Sequence, residues 1–527
     1  MLRHLVPYRA TGRFPRAVLD HLEDAPALRD FRTWRPDAPS LRAANQARDF
    51  DPHTRAVLCE VLEEQYRDLP LKDAVRNALD LLRRAECRTV TTGHQLCLFS
   101  GPLYVPFKIL NAVRIARQIS TDRAPVVPVF WMATEDHDRA EIDHTYVNGE
   151  RVHWPGPSGG PVGRMRLDGI AAAVHKAGSL LGQGSHADQL RTLLAECYRP
   201  EHSLAHATRL FVDALFGRFG VVLLDADDPR LKRVFAPLMQ EELLHGITVR
   251  TVRYANERLA GIQDEQAHAR DINLFHLRDG HRSRIERQDE RYQVLDQGPS
   301  FDLEHLLAEL ERHPDRFSPN VLMRPLYQEV VLPNVAYIGG GGELAYWLQL
   351  RWLFEAYRVP MPVLLLRASA AFLKAKDIQR CTELGLEPSY LFRPVDELRN
   401  SLAMRNASFS TQVDDERRRI FQVYEELALR ARTADSTLEQ AVRAAAKRSM
   451  KGLDALESKL VRAAKREQEQ VLQSLERVLD RLFPDGILQE RRENFMPWYA
   501  AQGPAFFDTL LEALDPLDAR FSLFVEP

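Results

Sequence analysis

Disulfide and zinc chemistry have little to work with in this sequence. Of 527 residues only five are cysteine (Cys59, Cys87, Cys97, Cys197 and Cys381), an odd number with no CxxC pair. A disulfide framework and a structural zinc site are therefore not expected, and a reducing compartment, the cytoplasm, is. Excess charge is lacking too: 71 Lys plus Arg stand against 74 Asp plus Glu, a net charge of −3. That leaves no general electrostatic pull toward nucleic acid or an anionic membrane. No stretch approaches the roughly 18–20 apolar residues that span a bilayer. The opening segment MLRHLVPYRATGRFP has no continuous apolar run, so a signal peptide is not expected.

What is present is length and pattern. A chain of this size exceeds what one hydrophobic core usually serves, so two or three structural units are expected. Leu58, Leu62, Tyr66 and Leu69, then Ala74, Ala78, Leu81 and Leu82, recur at mostly three- and four-residue steps and predict helices through residues 1–85. Arg88-Thr-Val-Thr-Thr92 predicts a short strand, Gly93-His-Gln95 a loop, and 104–119 a helix with Ile109, Ala112, Val113, Ala116 and Ile119 on one face. The apolar run 124–133 suits a strand buried on both faces of a parallel sheet, although Pro125 and Pro128 weaken its start. It ends in Thr134-Glu-Asp-His-Asp138, completing a βαβ pattern.

Further along, 147–170 predicts an inserted hairpin and 187–219 helix. Gly220-Val-Val-Leu-Leu-Asp225 predicts another parallel strand, followed by a helix from Pro229 to about Gly261. Residues 270–320 give no clear assignment. Strand pattern returns at Tyr337-Ile338, a glycine turn follows at Gly339-Gly-Gly-Gly342, a helix opens at Glu343, and Val363-Leu-Leu-Leu-Arg367 predicts one more strand. From about 413 to 482 Gly and Pro nearly vanish. Leu453, Leu456, Leu460, Ala463, Val471, Leu475, Val478 and Leu482 approximate a heptad seam, and the break near 433–436 predicts two antiparallel helices. The expected fold is α/β: a split Rossmann-like core with insertions between its blocks, plus a C-terminal α-helical coiled-coil hairpin. Its expected division is a helical segment packing on the core (1–85), the first part of the core (86–146), insertions and further core elements (147–320), the second part of the core (321–395), the hairpin (396–485) and a segment returning to the core (486–527).

Open parallel sheets bind ligands at the carboxyl ends of their strands, where three loops qualify. In the first, Gly93, His94 and Gln95 with Lys108 suit a carboxylate or phosphate, or equally a plain turn. In the second, His137 flanked by Asp136 and Asp138 suits a general base, the carboxylates orienting it. The same loop can be read as a helix cap, or, with Asp143 and His144, as a metal cluster; no further ligand motif supports a metal, and none is expected. In the third, Gly340, Gly341 and Glu343 form a phosphate-cradling type of turn, and the upstream Arg324, Tyr327 and Gln328 add a guanidinium suited to bidentate anion binding. Cys97, between Leu96 and Leu98, reads as a buried thiol. Lys447-Arg-Ser-Met-Lys451 resembles the KMSKS loop of class I aminoacyl-tRNA synthetases, but it lies in the heptad region and no HxGH motif accompanies it.

Taken together, Thr91-Thr-Gly-His-Gln-Leu-Cys-Leu-Phe-Ser-Gly-Pro-Leu-Tyr104, Pro125-Val-Val-Pro-Val-Phe-Trp-Met-Ala-Thr-Glu-Asp-His-Asp138, Arg324-Pro-Leu-Tyr-Gln-Glu329, Gly339-Gly-Gly-Gly-Glu343, Pro362-Val-Leu-Leu-Leu-Arg367 and Phe483-Pro-Asp-Gly-Ile-Leu-Gln-Glu-Arg491 resemble the bacillithiol synthase family of cysteine-adding enzymes. They occur in the family's order and cover essentially the whole chain. One departure is Gly93-His94-Gln95, where many members have Gly-Gln-Gln. The resemblance implies a Rossmann-like core with connecting-peptide insertions, amide ligation of cysteine to the amine of glucosaminyl malate, the last step of bacillithiol synthesis, and a coiled coil able to serve a homodimer. Forming an amide from a free carboxylate requires activation, as an acyl-adenylate or acyl-phosphate, for which ATP with magnesium is the expected co-substrate. Arg324, Lys108 and the glycine-loop amides would neutralise phosphate or malate charge. His137 would deprotonate the glucosamine ammonium, and Glu343 would meet the amino group of cysteine. The rival readings are another nucleotide-dependent ligase or nucleotidyltransferase on a similar core, and a non-catalytic coiled-coil scaffold.

Overall fold

The computed structural model describes residues 2–406 and 409–526. Its centre is a five-stranded, all-parallel sheet built from β1 (Arg88–His94), β2 (Val126–Met132), β3 (Val222–Asp225), β4 (Asn334–Gly339) and β5 (Val363–Leu366). The spatial order is β5-β4-β1-β2-β3, which read from the other edge is the 3-2-1-4-5 order of a doubly wound Rossmann sheet without its sixth strand. All seven residues of β2 and all four of β5 are buried, which is why both read as continuous apolar runs. Each such side chain taken fully out of water contributes about 1.5–3 kcal/mol. Pro128 is tolerated inside β2 because pairing with β3 begins only at Val129, so the missing N–H interrupts no ladder on that side.

The helix Tyr104–Ile119 falls where its apolar periodicity predicts. The helix expected from Pro229 onward is two helices, Pro229–His245 and Ile247–Leu259. Gly246 breaks it with φ of 55°, in the left-handed region that glycine enters without a Cβ clash. The inserted hairpin starts earlier than expected, pairing His144–Val147 with Glu150–His153.

Two sheets went unread in the sequence. Residues 274–319 form an antiparallel sheet in the order Ser300–Phe301, Arg291–Val294, His281–Gln288, Leu274–Arg278, Phe317–Pro319. The expectation of helices throughout 1–85 is corrected at its start: Leu2–Pro7 is a strand, antiparallel to Arg520–Glu526, which in turn runs parallel to Ala370–Lys374. This small sheet ties both ends of the chain to the core.

The hairpin is as expected in outline. Asp414–Ala434 and Ser436–Glu467 run antiparallel, with Asp435 capping the second through Thr437 N–H. Arg417 reaches Asp454 and Glu457, and Tyr424 meets Ser449, which places the KMSKS-like segment on a helix surface. After a kink at Gln468, Glu469–Leu482 carries Leu472, Leu475, Val478, Leu479 and Leu482 into the core. No described helix is long and apolar enough to cross a membrane.

Candidate functional site

The strand order reverses between β1 and β4, and such a switch point opens a crevice above the carboxyl ends of its strands. A cavity of about 610 Å³ lies there. Its wall takes Gly93, His94 and Gln95 from the end of β1, Glu135, Asp136 and His137 from the end of β2, and Gly340, Gly341 and Glu343 from the end of β4. Arg324 also lines it, so the three loops singled out in the sequence converge on one space. The acidic loop is held by Val162 and Gly163, whose N–H groups donate to Asp136 O and Thr134 O at 2.7 and 2.8 Å. A Cβ at Gly163 would stand 2.6 Å from Thr134 Cβ, so only glycine permits this approach.

Lys108 does not reach the cavity as a free cation. Its buried ammonium donates to Gly93 O and, at 2.6 Å, to Glu343 Oε2. Glu343 also accepts from Gly340 N–H at 2.8 Å and Tyr337 O–H at 2.5 Å. Burial alone would raise the Glu343 carboxyl, but Lys108 and these donors bring it down to about 2. His94 is likewise engaged at both nitrogens, Nδ1 with Gln95 O at 2.8 Å and Nε2 with Tyr104 O–H at 2.9 Å. Burial, aided by Lys108, lowers it to about 4, so it is a neutral wall residue and not a cationic anion receptor. Tyr327 and Gln328 lie behind the wall: Tyr327 O–H donates to Ala226 O, and Gln328 Oε1 accepts from Arg324 Nη1 at 3.1 Å. Arg324 Nη2 is buried and has no hydrogen-bond partner among the described residues, while Tyr346 acts on the same guanidinium.

In the acidic loop the Gln95 amide donates to Asp136 Oδ2 at 2.7 Å, and His137 N–H donates to Oδ1 at 2.7 Å. Burial would raise Asp136, but His137, Gln95 and the nearby Arg282 hold it well below the usual carboxylate range. Asp138 is exposed and outside the cavity wall, and its side chain makes no cap hydrogen bond. His137 Nδ1 faces Arg282 Nη1 at 2.9 Å. The weighed metal cluster does not assemble: Asp143 pairs instead with His144 and His153 on the hairpin. Among the described residues no group of three or more His, Cys, Asp or Glu converges as a metal set. Cys97 is buried, and burial pushes its thiol up to about 12.

Sequence reasoning missed Arg282, Arg367, Tyr104 and the role of Glu135. Glu135 shares the buried Lys232 with Asp227, at 2.8 and 2.7 Å, and Asp227 also meets Arg164. Burial raises the Glu135 carboxyl against the pull of Lys232, while Asp227, with two cations, stays low. The only sequence signal for Glu135 was its place in the acidic run; Lys232 lies in a helix nearly a hundred positions on.

The fold and its cavity define a Rossmann-like protein with a cavity at the switch point and a helical hairpin that follows the core in the chain. The chain belongs to the bacillithiol biosynthesis BshC family: its N-terminal Rossmann-like domain model matches residues 1–368 and its C-terminal coiled-coil domain model residues 370–526. Similar proteins named "Putative cysteine ligase BshC" include one from Flavobacterium johnsoniae, 35% identical over 98% of both chains. Others come from Christiangramia forsetii, 34% identical over 99% of both, and Salinibacter ruber, 32% identical over 97% of this chain and 96% of the relative.

Proposed function

We propose that this chain joins the carboxyl group of cysteine to the amine of glucosaminyl malate, forming the amide of bacillithiol. The observation that carries the reading is the composition of one cavity, which ionised carboxylates and the Arg324 guanidinium line together. Asp136 and Glu343 stay ionised and offer charge to the ammonium groups of the two substrates. The Arg324 guanidinium, which lines the cavity, suits a carboxylate or phosphate oxygen. A Cβ at Gly342 would meet nothing within 4 Å, so the glycine turn leaves open room in the cavity wall. These features fit the phosphates of ATP, which when bound supplies activation of the cysteine carboxylate.

The amine must lose a proton to attack. His137 Nδ1 lies 2.9 Å from Arg282 Nη1, which can only donate, so the base role moves to Glu135, whose carboxyl burial raises above the ordinary glutamate value. The glucosamine ammonium gives one proton to Glu135, the freed nitrogen bonds to the activated carbonyl carbon, the bond to the leaving oxygen breaks with its electron pair, and the nitrogen's second proton passes to that departing oxygen, leaving a neutral amide. We further propose that the chain dimerises through its hairpin, where Phe421, Leu429, Leu438 and Leu456 stand 50–58% exposed.

The test is mass spectrometry of the purified protein incubated with glucosaminyl malate and cysteine, with and without ATP and magnesium. Bacillithiol formed only with ATP is the expected result. Product without nucleotide would overturn the activation step, and no product under either condition would favour the scaffold reading.

A further inference from the structure

Arg282 lies on the strand His281–Gln288 of the inserted antiparallel sheet, and each of its three guanidinium nitrogens is directed. Nε donates to Ser318 Oγ at 3.2 Å, Nη2 to Pro319 O at 2.9 Å, and Nη1 to His137 Nδ1 at 2.9 Å. The guanidinium carbon sits 4.0 Å from the centre of the Phe275 ring, and the side chain is 9% exposed. A guanidinium has only donors and does not give up its proton in a protein. The ring nitrogen it meets must therefore carry the lone pair. Asp136 Oδ1 is the competing neighbour, since it would favour a proton on the same nitrogen, but at 3.6 Å it is beyond hydrogen-bond reach. The remaining nitrogen, Nε2, then holds the ring proton.

We infer that Arg282 is a positioning residue that fixes His137 as the Nε2–H tautomer and so presents a hydrogen-bond donor to an acceptor oxygen of the bound substrate, a carboxylate or carbonyl. His137 is then a receptor for substrate oxygen and not a proton acceptor. The insertion thereby contributes to a site otherwise built from parallel-strand ends. Only the identity of the substrate oxygen rests on the ligase reading; the tautomer does not.

The full-length protein labelled with ¹⁵N-histidine tests this at neutral pH, with His137 assigned by its loss in His137→Gln. The expected spectrum has a protonated Nε2 and an unprotonated Nδ1 for His137, shifting toward a tautomer mixture in Arg282→Met and back in Arg282→Lys. A protonated Nδ1 in the unsubstituted protein overturns the proposal. Ligation kinetics give the second readout. His137→Gln, which keeps a donor, should hold kcat within about tenfold, whereas His137→Ala should lose more, as removing one aimed donor costs about 10²–10³ in kcat. Equal loss in both, with unchanged melting temperatures, would also overturn it. Failure of ligation in every sample counts against the ligase reading and leaves the NMR result to decide the tautomer.

Discussion

Lys108 and Glu343, 235 positions apart, close a 2.6 Å ion pair that ties the helix after β1 to the turn after β4. The pair spans the switch point and sets the spacing of the two loops between which the cavity opens. Burial lowers the Lys108 ammonium and Glu343 opposes that pull, so each group depends on the other for its charge.

Removing one partner of a buried pair costs more than removing both, because a lone charge is left behind. Lys108→Met should destabilise the protein by about 3 kcal/mol, the low end of the usual 3–5 kcal/mol range, because Glu343 keeps 29% of its side-chain surface in solvent. The double variant Lys108→Met with Glu343→Gln should recover part of that loss. Urea unfolding of the three proteins measures it, and additive losses would show that the pair is not coupled.

Glu329 should give stability an opposite pH slope. Its Oε1 accepts from the Gln328 and Asn334 amides, and burial raises its carboxyl from an ordinary 4.5 to about 7. Between those values the unfolded chain has released the proton and the folded chain still holds it. This group's contribution therefore falls as pH rises from about 4.5 to 7, by about 3 kcal/mol at 1.36 kcal/mol per unit. Glu343 works the other way: its contribution is full above about 4.5 and is lost as pH falls toward 2. Urea midpoints at pH 5, 6, 7 and 8 should show Glu329→Gln gaining on the unsubstituted protein as pH rises. Parallel curves would rule the effect out.

Glu135→Gln should reduce ligation by about 10²–10⁴-fold, the usual contribution of a general base. The fold should survive, because Lys232 keeps Asp227 at 2.7 Å. Glu135→Asp should retain part of the rate. Product formation timed by mass spectrometry, with melting temperature as the folding control, decides it. A full rate in Glu135→Gln would remove this carboxylate from the chemistry.

How much of this was legible beforehand follows from where the signal lies. The strands β2 and β5 are buried on both faces, so local sequence alone announces them, and the loops at the strand ends follow from the topology. The strand His281–Gln288 buries only Ser283 and Ile285 in the sequence HRSRIERQ, so it has no apolar alternation to read. Arg282 is therefore invisible as a site residue until the sheet brings it to His137. The strand Leu2–Pro7 pairs with residues more than 500 positions away, and no local pattern encodes such a partner. His94 lines the cavity and Lys108 lies behind its wall, and the partners that engage them, Tyr104 and Glu343, leave no local trace in the sequence. The heptad seam divides at the kink at Gln468: Leu475, Val478 and Leu482 beyond it enter the core, whereas Leu456 before it remains 54% exposed.

That division of the hairpin determines how dimerisation is best tested. Deleting 413–482 would remove Leu472, Leu475, Val478, Leu479 and Leu482, which are buried, and would damage the fold itself. Substituting the exposed side chains avoids this. Phe421→Glu, Leu429→Glu and Leu456→Glu each replace a side chain that packs little against its own chain, so melting temperature should change little. In a dimer joined there, each would bury an unpaired carboxylate at the interface and weaken association. Sedimentation analysis should show the unsubstituted protein as a dimer and the triple variant as a folded monomer. A monomer before substitution, or a dimer that survives all three changes, would place any association elsewhere on the molecule.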